Sequence, residues 1–352
     1  MNVQSKLSSL VTIPGQCFLL VVSSLIILYL FQAPLRDFNP VGRTSFVLPV
    51  TPGVTTSWGK EPARVKTGLM VYEFIKFEPT KNDFLMSGII WFEFDPTKVK
   101  QETIDKFAFN KGDITQKSDP VIKKISDTAT YVQYHFRVQF SALFDYSLFP
   151  FDDHIVSLNL INDSIEATNM IYEVAPPDFT IPPYLFLSGW KIIKHEVKYG
   201  YNELTLSEKS LAEKSKVTLQ PKAVFSFHIK KEEVRLLILM LLPLLVLFYL
   251  SLFTLSMKDF TLGIDSIILL VTAFMASAIV TQGMSPDVNY FMVIDYLTIF
   301  FLLTIFFTFF IDFLGQSSQE YISTDMHEAI KGVSVIVLHI ALIMMIYYVT
   351  HI

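Results

Sequence analysis

The sequence predicts a protein of two parts, an all-β domain followed by a domain of apolar helices. Two observations carry this prediction. Residues 131–140 alternate apolar and polar side chains, a period of two that is typical of a strand with one buried face. After residue 232, four apolar runs follow one another, and each approaches the roughly 20 residues that a helix needs to cross a bilayer. We therefore expect a β domain joined to a membrane domain.

The composition supports a membrane protein. Of the 352 residues, 51% are hydrophobic and only 17% are charged, which is too apolar for a soluble protein of this length. A formal net charge of −5 argues against a nucleic-acid partner, because such a partner requires a concentrated basic surface. Cys17 is the only cysteine, so the sequence provides neither an intrachain disulfide nor a cysteine metal site.

The sequence also lacks the short motifs of common enzyme chemistry. It contains no HExxH zinc motif, no GxSxG nucleophile motif, no Walker A phosphate loop and no GxGxxG dinucleotide motif. We therefore expect neither an enzyme nor a protein with a metal or an organic cofactor.

The amino-terminal region has two interpretations. Residues 17–31 form an apolar run of 15, which suits the hydrophobic core of a signal peptide, but no clear small-x-small cleavage site follows it. Residues 1–33 are therefore either a signal peptide or a transmembrane anchor, and residues 34–60 are a linker. Both interpretations place the next domain outside the cytoplasm.

Residues 61–232 are predicted to be that exported domain. Residues 84–95 and 224–230 repeat the alternation of residues 131–140, and residues 72–77 and 154–160 are shorter versions. Turns that contain Pro or Gly separate these strands. The expected fold is an antiparallel all-β sandwich of the immunoglobulin-like class.

Residues 233–352 are predicted to be a transmembrane domain of four helices. The spans are residues 236–255, 261–281, 290–314 and 331–350. Few Lys residues flank them, so the exported β domain decides the orientation more firmly than the loop charges do. We expect a multi-pass protein of the cell (inner) membrane, with the β domain in the periplasm or outside.

The second of these spans carries polar residues on one side. At helical spacing a single stripe contains Asp265, Leu269, Thr272, Ala276 and Ile279. An aspartate in a membrane helix costs about 2.5–3.5 kcal/mol on insertion scales, so it faces a bundle interior or water. One interpretation is a pore lining, and the other is a hydrogen bond or ion pair with a neighbouring helix.

Residues 146–154, YSLFPFDDH, resemble the FPFD signature of the pentameric ligand-gated ion channels, the Cys-loop receptor superfamily. Further segments match in the family's order: Trp91 in IIWF, Trp190 in FLSGW, Pro243 in the first helix, and Pro286 in PDVNY. The resemblance covers roughly residues 65–350. It implies a β-sandwich ligand-binding domain followed by a four-helix pore domain.

Three departures qualify the match. The cysteines that bracket the FPFD loop in animal receptors are absent, and the loop at residues 315–330 is very short, so the sequence is similar to the prokaryotic branch. The apolar run at residues 17–31 is not part of the shared core. Two alignments of the second helix differ by about one helical turn, and they exchange Ile268 with Leu269 and Met275 with Ala276.

The resemblance implies a homopentamer in which five second helices line one pore. The implied pore-lining residues are Asp265, Ile268, Leu269, Thr272, Ala276 and Ile279. A ring of five Asp265 carboxylates would favour cations, and rings of Ile279 or Leu269 could close the pore by dewetting. The implied partners are further copies of the chain, the lipid bilayer and permeant ions.

The resemblance also implies a gating route between the two domains. Its residues are Phe149, Pro150, Phe151, Asp152, Lys231 and Pro286. In the family the aspartate of FPFD meets a basic residue, and Lys231 holds that place here without the bidentate geometry of arginine. The alternative is a solvated Asp152 and a Lys231 that extends to the interface.

The stimulus is not defined by the sequence. Residues 199–219 fall where the family's agonist-capping loop would lie, but they contain no aromatic cluster beyond Tyr199 and Tyr201. A small molecule, a proton or a divalent cation therefore stays open as the stimulus. Two other functions stay open as well: a membrane-anchored sensor or adhesion module without a pore, and a transporter, against which the lack of an inverted repeat argues.

Overall fold

The computed structural model describes residues 11–41, 45–141, 144–206, 216–232, 234–257, 260–317 and 323–351. The chain divides into two compact units. The β unit comprises Pro40–Asp145 and Asp153–Glu232. The helical unit comprises the residues up to Asn39, the residues from Glu233 onwards, and the segment Tyr146–Asp152. The FPFD segment thus belongs to the helical unit although it lies between two strands in the sequence.

The β unit is built on one mixed sheet of 11 strands. The strands are β1 Ala63–Glu78, β2 Asp83–Phe94, β3 Ala108–Asn110, β4 Gly112–Lys117, β5 Val121–Ser126, β6 Ala129–Ser141, β7 His154–Ile161, β8 Met170–Glu173, β9 Phe179–Thr180, β10 Trp190–Leu206 and β11 Lys216–Lys231. Their order is β10-β11-β7-β3-β4-β6-β2-β1-β8, while β5 pairs with β6 and β9 pairs with β1. The described part of the unit also contains two short α-helices, Pro52–Ser57 and Gln101–Ile104, and two 3-10 helices, Pro79–Lys81 and Pro176–Asp178.

The predicted strands are present, but the purely antiparallel arrangement was wrong in two places. Long antiparallel pairs join β1 with β2, β2 with β6, β10 with β11 and β11 with β7. The short strands β8 and β9 instead pair in parallel with β1. Strands of four and two residues are too short to show an alternation in the sequence, and parallel pairs join distant segments through crossover connections.

Alternation places the apolar faces of the strands in one core. In β6 the buried side chains are Val132, Tyr134, Phe136, Val138 and Phe140. Aromatic rings interlock across strands, as where Phe84 stacks on Phe140 with ring centroids 5.0 Å apart. Burying one such side chain stabilises the fold by about 1.5–3 kcal/mol relative to leaving it exposed. The core therefore accounts for folding without disulfides.

Residues 46–58, which we call the strap, lie across β10 and β11. Leu48 and Tyr201 exchange two backbone hydrogen bonds of 2.9 and 3.0 Å. The Phe46 carbonyl accepts a hydrogen bond of 2.8 Å from the Lys222 ammonium, whose burial lowers its pKa. Trp58 meets the Tyr201 ring edge-on at 5.3 Å. This part of the expected linker is thus folded onto the sheet.

Gly200 permits that close approach, which makes it a test of the strap. A Cβ atom at Gly200 would lie 1.9 Å from the Leu48 carbonyl oxygen. We expect Gly200→Ala to displace the strap and to destabilise the protein by about 1–3 kcal/mol. Thermal unfolding of the purified full chain, with limited proteolysis of the strap, measures this. Gly53→Ala is the matched control, because a Cβ atom added at Gly53 would meet no described atom within 4 Å; equal behaviour of the two variants would contradict the prediction.

Strand β5 is an exposed edge of the sheet. Every one of its six residues is exposed, and among the described strands it pairs only with β6. Its apolar side chains Val121, Ile122 and Ile125 lie on either side of Lys123 and Lys124. The strand therefore combines an edge that no other described strand covers with two exposed lysines, of which Lys124 lies 2.6 Å from the Asp127 carboxylate.

The described residues of the helical unit form five long helices. They are α1 Ile13–Leu30, α2 Val234–Thr254, α3 Phe260–Met284, α4 Val293–Ser317 and α5 Thr324–His351. All five are long and apolar enough to cross a membrane. The four predicted spans correspond to the helices α2 to α5, and the apolar amino-terminal run, extended by a short helix at Gln32–Arg36, adds a further candidate span.

A buried ion pair joins three of these helices. The Lys331 ammonium of α5 lies 2.5 Å from the Asp312 carboxylate of α4 and donates a hydrogen bond of 3.3 Å to the carbonyl of Leu255, which follows α2. Both charged side chains are about nine-tenths buried. Charged groups in membrane helices pair with one another or with backbone carbonyls in this way.

Candidate functional site

Helix α3 has one packed face. Its buried residues with described side chains are Ile267, Leu270, Phe274 and Thr281. With 3.6 residues per turn these four fall within a sector about 60° wide. α3 packs through this face against α2 and α4.

The opposite face of α3 carries the predicted pore-lining residues. The exposed residues there are Asp265, Ile268, Leu269, Thr272, Ala276 and Ile279. Leu269 is 71% exposed and Ile279 is 67% exposed in the single chain. The Thr272 hydroxyl donates to the Ile268 carbonyl at 2.9 Å, a bond within the helix. All six predicted residues thus lie away from the rest of the bundle.

The exposed face of α3 can be compared with the two alignments that exchange Ile268 with Leu269 and Met275 with Ala276. Ile268 and Leu269 do not favour either alignment. Each lies about 50° from the centre of the exposed face, on opposite sides of it, and both are exposed. Ala276 lies closer to that centre than Met275 does, by about 40°. The alignment that places Ala276 rather than Met275 toward the centre fits this face better.

The FPFD segment, Tyr146–Asp152, is docked on the start of α4. The Val293 and Ile294 N–H groups donate to the carbonyls of Ser147 and Phe149 at 3.1 and 3.2 Å. The first N–H groups of a helix have no partner within the helix, so these loop carbonyls cap α4. The Tyr146 N–H donates to the Tyr290 hydroxyl at 2.8 Å.

The interior of this segment is closely packed. Tyr146, Phe149 and Asp152 are each at most 1% exposed, and Pro150 is buried as well. Burial, together with the nearby Asp152 carboxylate and the Tyr290 phenol, raises the pKa of the Tyr146 phenol. Pro286, in the turn between α3 and α4, is also buried. The FPFD segment and the start of α4 are therefore packed together within the helical unit.

Lys231, at the end of β11, has contacts within the β unit. Its N–H donates to the Asp153 carboxylate at 2.9 Å, and its ammonium lies 5.6 Å from the centre of the Trp190 ring. Sequence reasoning singled out Asp152 and missed Asp153, although the FPFDD sequence offers both carboxylates. The pairing of Asp152 with Lys231 stays a prediction.

The region of the expected agonist-capping loop is described in part. Residues 207–215 lie outside the described residues. Tyr201 is buried beneath the strap, and Tyr199 packs partly against the sheet core. Both rings therefore serve packing, and ligand-binding residues stay undefined. Among the described residues no group of three or more His, Cys, Asp or Glu side chains could hold a metal ion.

No protein-family model matches this sequence, and no curated protein is significantly similar to it.

Tyr290 offers a test of how the FPFD segment is held. Tyr290→Phe removes the acceptor of the buried Tyr146 N–H, and an unsatisfied buried donor costs about 1–3 kcal/mol. We expect a lower melting temperature for the purified full chain. Tyr296→Phe is the control, because this tyrosine of α4 is 52% exposed. Melting temperatures that agree for the two variants would argue against a stabilising hydrogen bond from Tyr146 to Tyr290.

Proposed function

We propose that this protein is a subunit of a homopentameric ligand-gated ion channel of the prokaryotic type, with α3 lining the pore. The observation that carries the proposal is the exposed face of α3, where Asp265 and Thr272 lie among apolar residues on the side away from the bundle. Five copies around one axis would turn these faces toward a common channel.

The physical argument concerns the cost of that face in lipid. An aspartate at the centre of a membrane helix costs about 2.5–3.5 kcal/mol, so it normally faces protein or water. The helices of one chain leave Asp265 exposed. Copies related by closed rotational symmetry bury the same face on every subunit and can enclose an aqueous path.

The pore residues suggest how the channel works. Five Asp265 carboxylates concentrate cations and repel anions, so we propose cation selectivity. Rings of Leu269 or Ile279 form apolar constrictions, which close a pore by dewetting, that is, when water leaves them. The stimulus, a small ligand, a proton or a divalent cation, acts on the β unit and reaches α3 through Phe149, Pro150, Phe151, Asp152, Lys231 and Pro286.

The architecture and location belong to the same proposal. The β unit is an immunoglobulin-like sandwich outside the cytoplasm, in the periplasm or at the cell surface, and α2 to α5 form the four-helix pore domain. The protein lies in the cell (inner) membrane. The proposal is supported by the residues of the FPFD segment and by the exposed face of α3.

The decisive experiment combines assembly and conductance. We expect native mass spectrometry of the protein in gentle detergent to give five subunits, and we expect single-channel currents from the purified protein in planar bilayers. A stable monomer that carries no current under changes of pH or of divalent cation concentration would instead favour a sensor or adhesion module, in which another protein covers α3.

Asp265 should set the charge selectivity. Asp265→Asn removes the ring of carboxylates, so the reversal potential in asymmetric salt should shift toward a several-fold weaker cation preference. Asp287→Asn is the control, because Asp287 is an exposed carboxylate in the turn beyond α3. Unchanged selectivity in Asp265→Asn would place the filter elsewhere in the protein.

A further inference from the structure

Helix α1 is held to the other helices by polar side chains. The Gln16 side-chain amide donates to the Leu252 carbonyl of α2 at 3.0 Å. The hydroxyls of Ser23 and Ser24 lie 2.9 and 3.1 Å from the Tyr249 hydroxyl, also in α2. Gln16 and Ser23 are each only 2% exposed. Between membrane helices such interhelical hydrogen bonds act as specific contacts, because lipid offers these groups no alternative partner.

The helical stretch at this end of the chain is also longer than the hydrophobic core of a signal peptide. The apolar span runs over Ile13–Arg36, 24 residues, when the short helix after α1 is included. The hydrophobic core of a signal peptide has about 7–15 residues, whereas a membrane span needs about 20. The side of α1 away from the bundle is apolar and exposed, as at Phe18 and Leu28, which suits contact with lipid.

At its carboxyl end, α1 is in contact with the FPFD segment. Phe31, the residue after α1, is 7% exposed and stacks on Phe151, with ring centroids 5.5 Å apart and planes inclined by 21°. On its other side the same segment caps α4 through the Ser147 and Phe149 carbonyls. The FPFD segment is therefore held between the end of α1 and the start of α4.

We propose that α1 stays in the mature protein as a fifth membrane helix and that Phe31 is a positioning residue for the FPFD segment. Phe31 fixes Phe151 from the α1 side, so it sets the stimulus strength at which the pore opens. The retention of α1 and the packing of Phe31 stand on the contacts above. The effect on gating rests on the proposed channel function.

The first test needs no current. The intact mass of the purified protein should include α1, and the mature chain should carry one thiol, because Cys17 of α1 is the only cysteine in the sequence. A mature chain that begins after residue 33 and reacts with no maleimide would overturn the proposal.

The second test is a double-mutant cycle on Phe31→Ala and Phe151→Ala, read both as thermal stability and as the activation midpoint under whichever stimulus opens the channel. Aromatic pairs couple by about 2- to 10-fold in an equilibrium constant, so the two substitutions should be non-additive to that extent. Leu28→Ala, on the exposed side of α1, is the control and should leave the midpoint unchanged.

The outcomes separate the two proposals. Additive effects of Phe31→Ala and Phe151→Ala on thermal stability would overturn the positioning role, with or without a current. Coupling in stability together with an unshifted midpoint in Phe31→Ala would overturn the gating role alone. A wild-type protein without any current would overturn the channel proposal, and with it the gating role, while the mass and the stability cycle would still decide retention and packing.

Discussion

The requirement that polar groups in hydrocarbon find partners or water organises the helical unit. Tyr249 meets the hydroxyls of α1, and the Lys331 ammonium meets both a carboxylate and a backbone carbonyl. These contacts tie α1, α2, α4 and α5 to one another. Helix α3 differs, because its ionisable residue, Asp265, faces away from the bundle. The other described helices of the unit therefore leave the Asp265 carboxylate exposed.

Much of this arrangement was predictable because it depends on local periodicity. The alternation in β6 directly indicates which face of the strand is buried. The long apolar runs predict helices whose length matches a bilayer. The stripe through Asp265, Thr272 and Ile279 needs only 3.6 residues per turn, and its five residues all lie on the exposed face. The FPFD segment could be located from its sequence, although its contacts could not.

The remainder depends on contacts between distant parts of the chain. The parallel pairs of β1 with β8 and β9, the Tyr290 hydroxyl that accepts from Tyr146, and the stack of Phe31 on Phe151 join residues about 100 or more positions apart. No periodicity encodes such pairs. The strap was expected only as linker, because its Pro, Gly, Ser and Thr residues resemble a loop and the cover that it provides over Lys222 is visible only in three dimensions.

Strand β5 restricts how another chain can contact the sheet of the β unit. An exposed strand edge is a template for another strand, and lysines on such an edge oppose that pairing because their charges would have to leave water. β5 carries Lys123 and Lys124 between its apolar residues. A continuous hydrogen-bonded sheet that runs from this chain into another is therefore disfavoured at this edge. A second chain that met β5 would contact it through side chains, so it could tilt against this sheet without breaking a backbone ladder.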